Sequence, residues 1–520
     1  MKRIFVTSLL MLGCMTLPAF AQEVEPSDLN DAEIVEEVIP QESEELEAEP
    51  TVEPEEPEVE PISEPEPEVL NGWQENNTKY YVDGMAVDGV QTIDKDVYYF
   101  ENETLNPYTG FVKNTDNKWI FVRNGKSDWN FTGVAKSKEN GKWYHADKGV
   151  LNWNFTGISK SVENGKWYFS RKGALDWSFT GVAKSVENGK WYHARKGALD
   201  WNFTGVSKSV ENGRWYHSKN GRLDWSFTGI SKSIENGKWY FSRKGALDWN
   251  FTGVAKSIQN GKWYYARKGA LDWKYTGLGK SLENGKLYYC KKGALDWKYT
   301  NVWQQGNNIY FVKKGAVRYG SFTENRISYR ANTKTGIIES AIHDGATKFY
   351  LNQKDGRWSA ITLGGTIGSN GCVPTSLAMV YNIIKYSHTY TPYSVAINLY
   401  RAGFFNGKEG SGSGGNGIVY SNRTNGFSYK QIGYNYQTLK NELLKGRMVA
   451  LALQGSPFMP YGGSHEVVLY GYDSRNNKVY MMDPYFTSNN QTYDLNYVFN
   501  HFSKESMDSR NGGPAFSIWK

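Results

Sequence analysis

Cys372 is the residue best placed to do chemistry. It stands in Gly371-Cys372-Val373-Pro374-Thr375-Ser376, ahead of Leu377, Val380, Tyr381 and Ile384. Those four positions follow i, i+3, i+4, i+7 spacing and predict a helix with one apolar face. Pro374 suits the first turn of that helix. The thiol is therefore expected at a helix N-terminus, where unpaired amides and the helix dipole favour a thiolate. A structural Cys more often lies inside an apolar run, and none flanks this one.

A thiol nucleophile needs a base, and the base needs a group that orients it. His465-Glu466-Val467-Val468-Leu469-Tyr470-Gly471-Tyr472 reads as a strand, Ser474 to Asn477 as a turn, and Lys478 to Asp483 as a returning strand. Such a hairpin carries Asp483 back towards His465, by an offset that spacing alone does not fix. A carboxylate beside an imidazole holds it in one tautomer and one orientation. The bland readings are an inert Cys372, a plain strand His465, and an Asp483 that only makes a turn before Pro484. Asp473 is the rival acid, but it sits beside the hairpin turn.

His343, His388 and His501 lie outside these blocks and read as surface residues. Neither His-x-x-x-His nor clustered Cys/His spacing points to a metal site. Neither a P-loop nor a dinucleotide fingerprint is present. The chemistry is expected to need no cofactor and no metal.

The elements that must position these residues follow about residue 320. The remaining chain, about 195 residues, suffices for one globular core. A connector is expected over 319–345 and a domain over 346–520. Within the domain Thr347–Asn352 reads as a strand, Gly364 to Gly371 as a Gly-rich turn, and Met448–Leu453 as a buried strand. The Gly-rich stretch 403–417 is either a loop over the cleft or a flexible surface insertion.

Before this domain the sequence is periodic. Trp recurs at 129, 153, 177, 201, 225, 249, 273 and 297, eight times at intervals of 24. A second register holds Trp119, Trp143, Trp167, Trp191, Trp215, Trp239 and Trp263, then Leu287. A fixed period of this size predicts a solenoid. Each unit carries two turn signals, such as Asn164-Gly165 and Lys172-Gly173, with short aromatic and β-branched runs between them. Asn-Gly favours a hairpin turn through positive φ at both residues. In strand geometry Trp167 and Phe169 share a face, as do Trp177 and Phe179. Each hairpin must stack on its neighbours to bury its aromatic face. The aromatics then serve as packing alone, or as grooves for sugar rings and quaternary ammonium groups.

The chain has 520 residues and a net charge of +6, and that average hides a split. Residues 22–69 hold 20 acidic residues and no Lys or Arg, while residues 70–520 carry +24. The acidic, Pro-rich segment 22–70 predicts an extended disordered linker, either an envelope spacer or a solubilising tail. Met1-Lys2-Arg3, an apolar run to Phe20 and Ala19-Phe20-Ala21 predict a signal peptide over 1–21. A membrane anchor and lipidation at Cys14 are the alternatives. Beyond it, no apolar stretch is long enough to predict a membrane span. Three Cys exclude a disulfide scaffold. After removal of the signal peptide, Cys290 and Cys372 form one disulfide or stay as thiols; their dissimilar surroundings favour thiols.

Two resemblances follow. Gly-Lys-Trp-Tyr followed by a Gly turn and another aromatic, over residues 71–318, resembles the cell-wall-binding hairpin repeats of Gram-positive surface proteins, the group that includes choline-binding repeats. The 24-residue period is longer than that of choline-binding units. The resemblance implies attachment to a cell-wall polymer, teichoic acid or peptidoglycan, and the Lys-rich units suit an anionic one. Nucleic acid fits the charge but not an exported protein.

Gly371-Cys372-Val373-Pro374-Thr375-Ser376-Leu377-Ala378-Met379, Gly463-Ser464-His465-Glu466-Val467-Val468 and Asp483-Pro484 resemble the bacteriocin-processing (double-glycine leader) cysteine peptidases. More closely they resemble their stand-alone secreted relatives in the papain-like superfamily, over about 340–520. Val373 and Gly371 depart from the residues many members carry there, and the transporter portion of the processing enzymes is absent. The resemblance implies Cys372 as nucleophile, His465 as general base and acid, and Asp483 as the residue that orients it. It also implies an upstream Gln as oxyanion donor, best matched by Gln353, with the Cys372 amide as second donor. The expected architecture is thus multidomain: an all-β hairpin-repeat solenoid followed by an α+β papain-like domain. The expected function is that of a secreted, wall-associated cysteine peptidase acting on peptide or protein. The rivals are a peptidoglycan peptide hydrolase with the same residues and a non-catalytic adhesin.

Overall fold

The computed structural model describes residues 68–406 and 412–520. The expected signal peptide and nearly all of the acidic linker lie outside the described residues.

From Gly89 to Val317 the repeats form one 30-stranded sheet of antiparallel hairpins, and the strands between Gly72 and Ala86 form a separate three-stranded sheet. A typical unit contributes Gly157–Lys160, Trp167–Arg171 and the two-residue strand Ala174–Leu175. Ile158 faces Phe169 across the hairpin, and Lys160 faces Trp167. The middle strand also pairs with the short strand of the next unit, Tyr168 against Ala198. Phe169 N–H donates to Gly197 O at 2.8 Å, so neighbouring units share backbone hydrogen bonds as well as apolar contacts. Ile158, Phe169, Phe179, Ala183 and Tyr192 form one buried cluster that spans two units. No unit could bury this surface alone, which is why the period had to produce a stack.

Two local expectations about the repeats are corrected. The turn with positive φ at both central residues is Lys172-Gly173, at 48° and 72°. At the other turn only Gly165 is positive, at 67°. Asn164 serves there through its side chain: Oδ1 accepts from Lys166 N–H at 2.9 Å, and Nδ2 donates to Tyr168 Oη at 3.0 Å. A Cβ at Gly173 would stand 2.6 Å from Asn152 O, a second reason for glycine there. Trp177 and Phe179 do not share a strand face. Both follow the short strand in a turn, which leaves Trp177 54% exposed while Phe179 stacks on Phe169.

The segment expected as a connector over 319–345 is folded. It supplies β1 (Gly320–Glu324), β2 (Ile327–Ala331) and β3 (Ile338–His343), which join the sheet of the carboxy-terminal domain. The rest of that sheet is β4 (Ser428–Gln431), β5 (Met448–Gly455), β6 (Met459–Asp473), β7 (Lys478–Met482), β8 (Thr492–Asp494) and β9 (Ala515–Trp519). The order is β1-β2-β3-β6-β5-β9-β4, with β7 on β6 and β8 on β7. Ile309 and Phe311, from the last repeat, sit in the same core as Val449, Leu451, Val467 and Leu469. The solenoid therefore ends inside the domain it carries.

Thr347–Asn352 is not a strand; Ala346–Phe349 forms a 3-10 turn. Gly345 enters it at φ 66°, a left-handed residue that ends extended backbone. The helices are α1 (Ile367–Asn370), α2 (Cys372–Lys385), α3 (Pro392–Arg401), α4 (Gly415–Thr424) and α5 (Tyr436–Leu444), followed by shorter ones. The expected single apolar face of α2 is too narrow a reading: Val373 through Ile383 are all buried. α2 packs against α3, β6 and the 3-10 turn, so it is the central helix of the α+β layer. His343 is also not a surface residue. It is buried, its ring nitrogen meets Gly446 O at 2.9 Å, and burial lowers its pKa to about 4.

Candidate active site

Cys372 is the first residue of α2 and is partly exposed. Gly371 precedes it, and no side chain caps the helix. The leading amides of a helix have no intrahelical acceptors, so an oxygen placed there finds donors.

His465 lies on β6, and Asp483 follows β7. Val468 pairs with Met482, which fixes the offset that spacing left open. His465 Nε2 lies 2.6 Å from Asp483 Oδ1, with His465 4% exposed and Asp483 fully buried. Asp483 is held from several sides. Oδ1 also accepts from the Tyr485 and Phe486 amides at 2.8 and 2.9 Å, and Oδ2 accepts from Asn489 Nδ2 at 2.9 Å. The carboxylate therefore cannot swing away from the imidazole. Nε2 is committed to Asp483, and His465 and Cys372 line the same cavity. Burial alone would depress the His465 pKa. The hydrogen bonds and charges of Asp483 and Cys372 outweigh it and raise the value to about 9. Tyr485 and Phe486 stand edge-on to the ring at 6.0 and 5.8 Å and shield the pair.

Gln353 is 1% exposed. Its backbone N–H donates to Pro484 O at 2.9 Å, so the segment that carries it is pinned to the Asp483-Pro484 corner. Its side-chain Nε2 donates to Gly368 O at 3.0 Å, which leaves the second N–H of that amide uncommitted. Cys372, His465 and Gln353 line a single cavity of about 790 Å³. The four residues singled out by sequence thus converge from α2, β6, the end of β7 and the loop after the 3-10 turn. Cys290, by contrast, is buried in a repeat strand, and burial pushes its thiol up to about 12. Both cysteines are free.

Two residues at the site escaped the sequence reading. Asn489 holds the outer oxygen of Asp483 but stands in a polar loop, where nothing marks one Asn among several. Glu466 lines the cavity and is 2% exposed. Its signal was available, as a charged residue inside an apolar strand. Of the Gly-rich stretch 403–417, Gly403, Phe404, Asn406 and Gly412 are among the residues that line the cavity. Residues 407–411 lie outside the described residues. No group of three or more His, Cys, Asp or Glu side chains that could hold a metal is found among the described residues.

Residues 349–508 match the Peptidase_C39 like family, and residues 108–128 and 250–272 match the choline-binding repeat. No curated protein matches the chain. Among solved structures, choline binding protein F from Streptococcus pneumoniae is 21% identical, with 51% of this chain and 91% of that one covered and a TM-score of 0.19. The modular autolysin LytC from the same organism is 12% identical, covering 44% and 46%, with a TM-score of 0.20. An alternansucrase is 17% identical over 51% of this chain, which spans 18% of its length, with a TM-score of 0.17.

Proposed function

We propose that this chain, with a Peptidase_C39-like domain at its carboxy terminus and choline-binding repeats before it, is a secreted, cell-wall-associated cysteine peptidase that hydrolyses peptide bonds through Cys372, His465 and Asp483. The observation that carries this is the buried 2.6 Å His465–Asp483 pair beside a thiol at an uncapped helix start. A raised imidazole pKa keeps the His465 ring protonated, and able to give a proton, across neutral pH.

The Cys372 sulfur attacks the scissile carbonyl carbon, and its oxygen takes the negative charge. The Cys372 amide and the free N–H of Gln353 receive that oxygen; one such donor is worth about 3 kcal/mol of barrier. The C–N bond breaks as His465 gives its proton to the leaving nitrogen, which leaves a thioester. Water then attacks the thioester with His465 taking its proton, and the acid product leaves as the thiolate and imidazolium reform. Asp483 holds the ring throughout. The repeats bring the enzyme to a wall polymer, for which the exposed Trp series offers stacking faces.

The test is labelling of the full chain with an iodoacetamide probe, with the labelled residue mapped, beside cleavage of a protein and of purified wall material. Cys372 labels far faster than Cys290, and Cys372→Ala removes both labelling and cleavage. Equal labelling with no cleavage in either assay leaves a non-catalytic wall binder. Cleavage of wall material but not of protein assigns the activity to peptidoglycan cross-links. The rate profile adds a check. Because the His465 value is raised, the protonated ring persists through neutrality, and activity falls on an alkaline limb near about 9.

A further inference from the structure

Glu466 follows His465 on β6 and has no role in the proposed chemistry. Its side chain is buried, lines the cavity, and leaves Oε1 without any hydrogen-bond partner. Leaving a buried carboxyl unpaired is costly, and such groups call for an explanation. Asp508, also buried, lines the same cavity. It engages Ser503 Oγ at 2.6 Å through Oδ2. Among the described residues, the other charged side chains on the cavity wall are His465, Glu505 and Arg510, of which the last two are exposed. His465 is paired with Asp483, so among the described residues no buried cation answers Glu466.

We propose that Glu466, with Asp508 on the same cavity wall, forms a subsite in the cleft for the primary ammonium group of a lysine-type side chain on the substrate. The proposal rests on the peptidase reading and names the class of peptide it selects. A cation is the ligand that fits. Burial first, then Asp508, then Cys372, all push the Glu466 carboxyl well above its ordinary pKa, so every neighbouring charge that shifts it is negative. A hydroxyl or amide donor would satisfy Oε1 but leave that repulsion in place, whereas an ammonium group relieves both. Cys372 and Glu466 line the same cavity, so the subsite selects a residue close to the scissile bond.

The test uses the full chain carrying Cys372→Ala, so that binding is read without turnover. The probes are a panel of pentapeptides with one lysine at each position in turn, and the same panel Nε-acetylated. At one position or more the free amine binds about 10- to 100-fold tighter than its acetylated twin, the worth of a hydrogen bond to a charged group. Glu466→Gln in the same background brings that ratio close to one. Asp508→Asn lowers it, and serves in its place if Glu466→Gln does not fold. The subsite is overturned if no position discriminates, or if a folded Glu466→Gln or Asp508→Asn chain keeps the full ratio. Hydrolysis is scored separately with the wild-type chain. If peptides that the Cys372→Ala chain binds are left uncut, the peptidase reading fails while the measured amine preference stands.

Discussion

In the repeat array one contact is made many times. Phe169 on Phe179, His193 on Phe203 and Phe241 on Phe251 stack at 3.6 to 3.7 Å, each pair on the same two positions of its unit. In the carboxy-terminal domain each contact is made once: one thiol, one imidazole, one carboxylate, held by residues with no copies. The difference teaches how each region fails. A periodic stack spreads its binding and stability over equivalent units, so a single loss is diluted. A catalytic site concentrates its function in a few atoms, so a single loss removes it.

The largest expected effect comes from the unique region. Cys372→Ala lowers peptide hydrolysis by about 10⁴-fold or more, and Gln353→Ala by about 10²- to 10³-fold, both read as kcat/KM on one peptide. A Gln353→Ala enzyme at full rate would remove that side chain from the oxyanion site. Next comes the seam between the regions. Phe311 belongs to a repeat strand yet is buried in the domain core. Phe311→Ala is expected to cost about 3–5 kcal/mol, seen as a lower denaturation midpoint of the carboxy-terminal domain. A midpoint that moves only for the repeats would mean the two regions fold independently.

A smaller effect separates the regions by pH. His145, His193 and His217 are buried in the stack, each with Nδ1 2.9 Å from a Ser Oγ. Burial lowers their pKa values to about 4, 3 and 4. A His depressed in the folded state contributes stability that is present above its unfolded value and lost as pH falls through the folded one. The repeats should therefore weaken from about pH 6.5 down to about 4 for His145 and His217 and to about 3 for His193. The effect is on the order of 3–5 kcal/mol for each His. Phe fills the equivalent place at Phe169 and Phe241, so replacing all three His with Phe should flatten that dependence. His465 runs the other way. Its raised value contributes stability fully present below about 6.5 and lost as pH rises through about 9. The smallest effect is that of one exposed indole. Trp177→Ala should weaken wall binding by no more than about threefold, because the other exposed Trp of its register remain. A loss beyond tenfold in a sedimentation assay would single out one groove as the binding site.

Much of this was legible from residue types and spacing. The 24-residue period required a stacked β architecture, because short aromatic strands cannot bury themselves alone. His465, the Ser474–Asn477 turn and Asp483 together required a hairpin that returns the acid to the base. The turns were less legible. Asn164-Gly165 and Lys172-Gly173 carry similar signals, and only the hydrogen bonds of Asn164 and the crowding at Gly173 decide which turn has positive φ at both central residues. The stretch 319–345 read as a connector because the repeat period ends before it, although Ile327–Ala331 alternates apolar and polar residues. β1, β2 and β3 become strands through pairing with one another and, at β3, with β6, a partner over a hundred residues away.

What the chain itself determined is local: a helix opening at Cys372, strands of period two, turns at Gly, and a stack wherever the period repeats. These follow from backbone preferences and from where apolar side chains fall along an element. The fold decided what depends on contacts between distant segments. It brought Gln353 to the Asp483-Pro484 corner, gave Asp483 the support of Asn489, buried Glu466 without a partner, and seated Phe311 in another domain's core. Burial and electrostatic environment are properties of a packed neighbourhood, and no stretch of residues carries its neighbourhood with it.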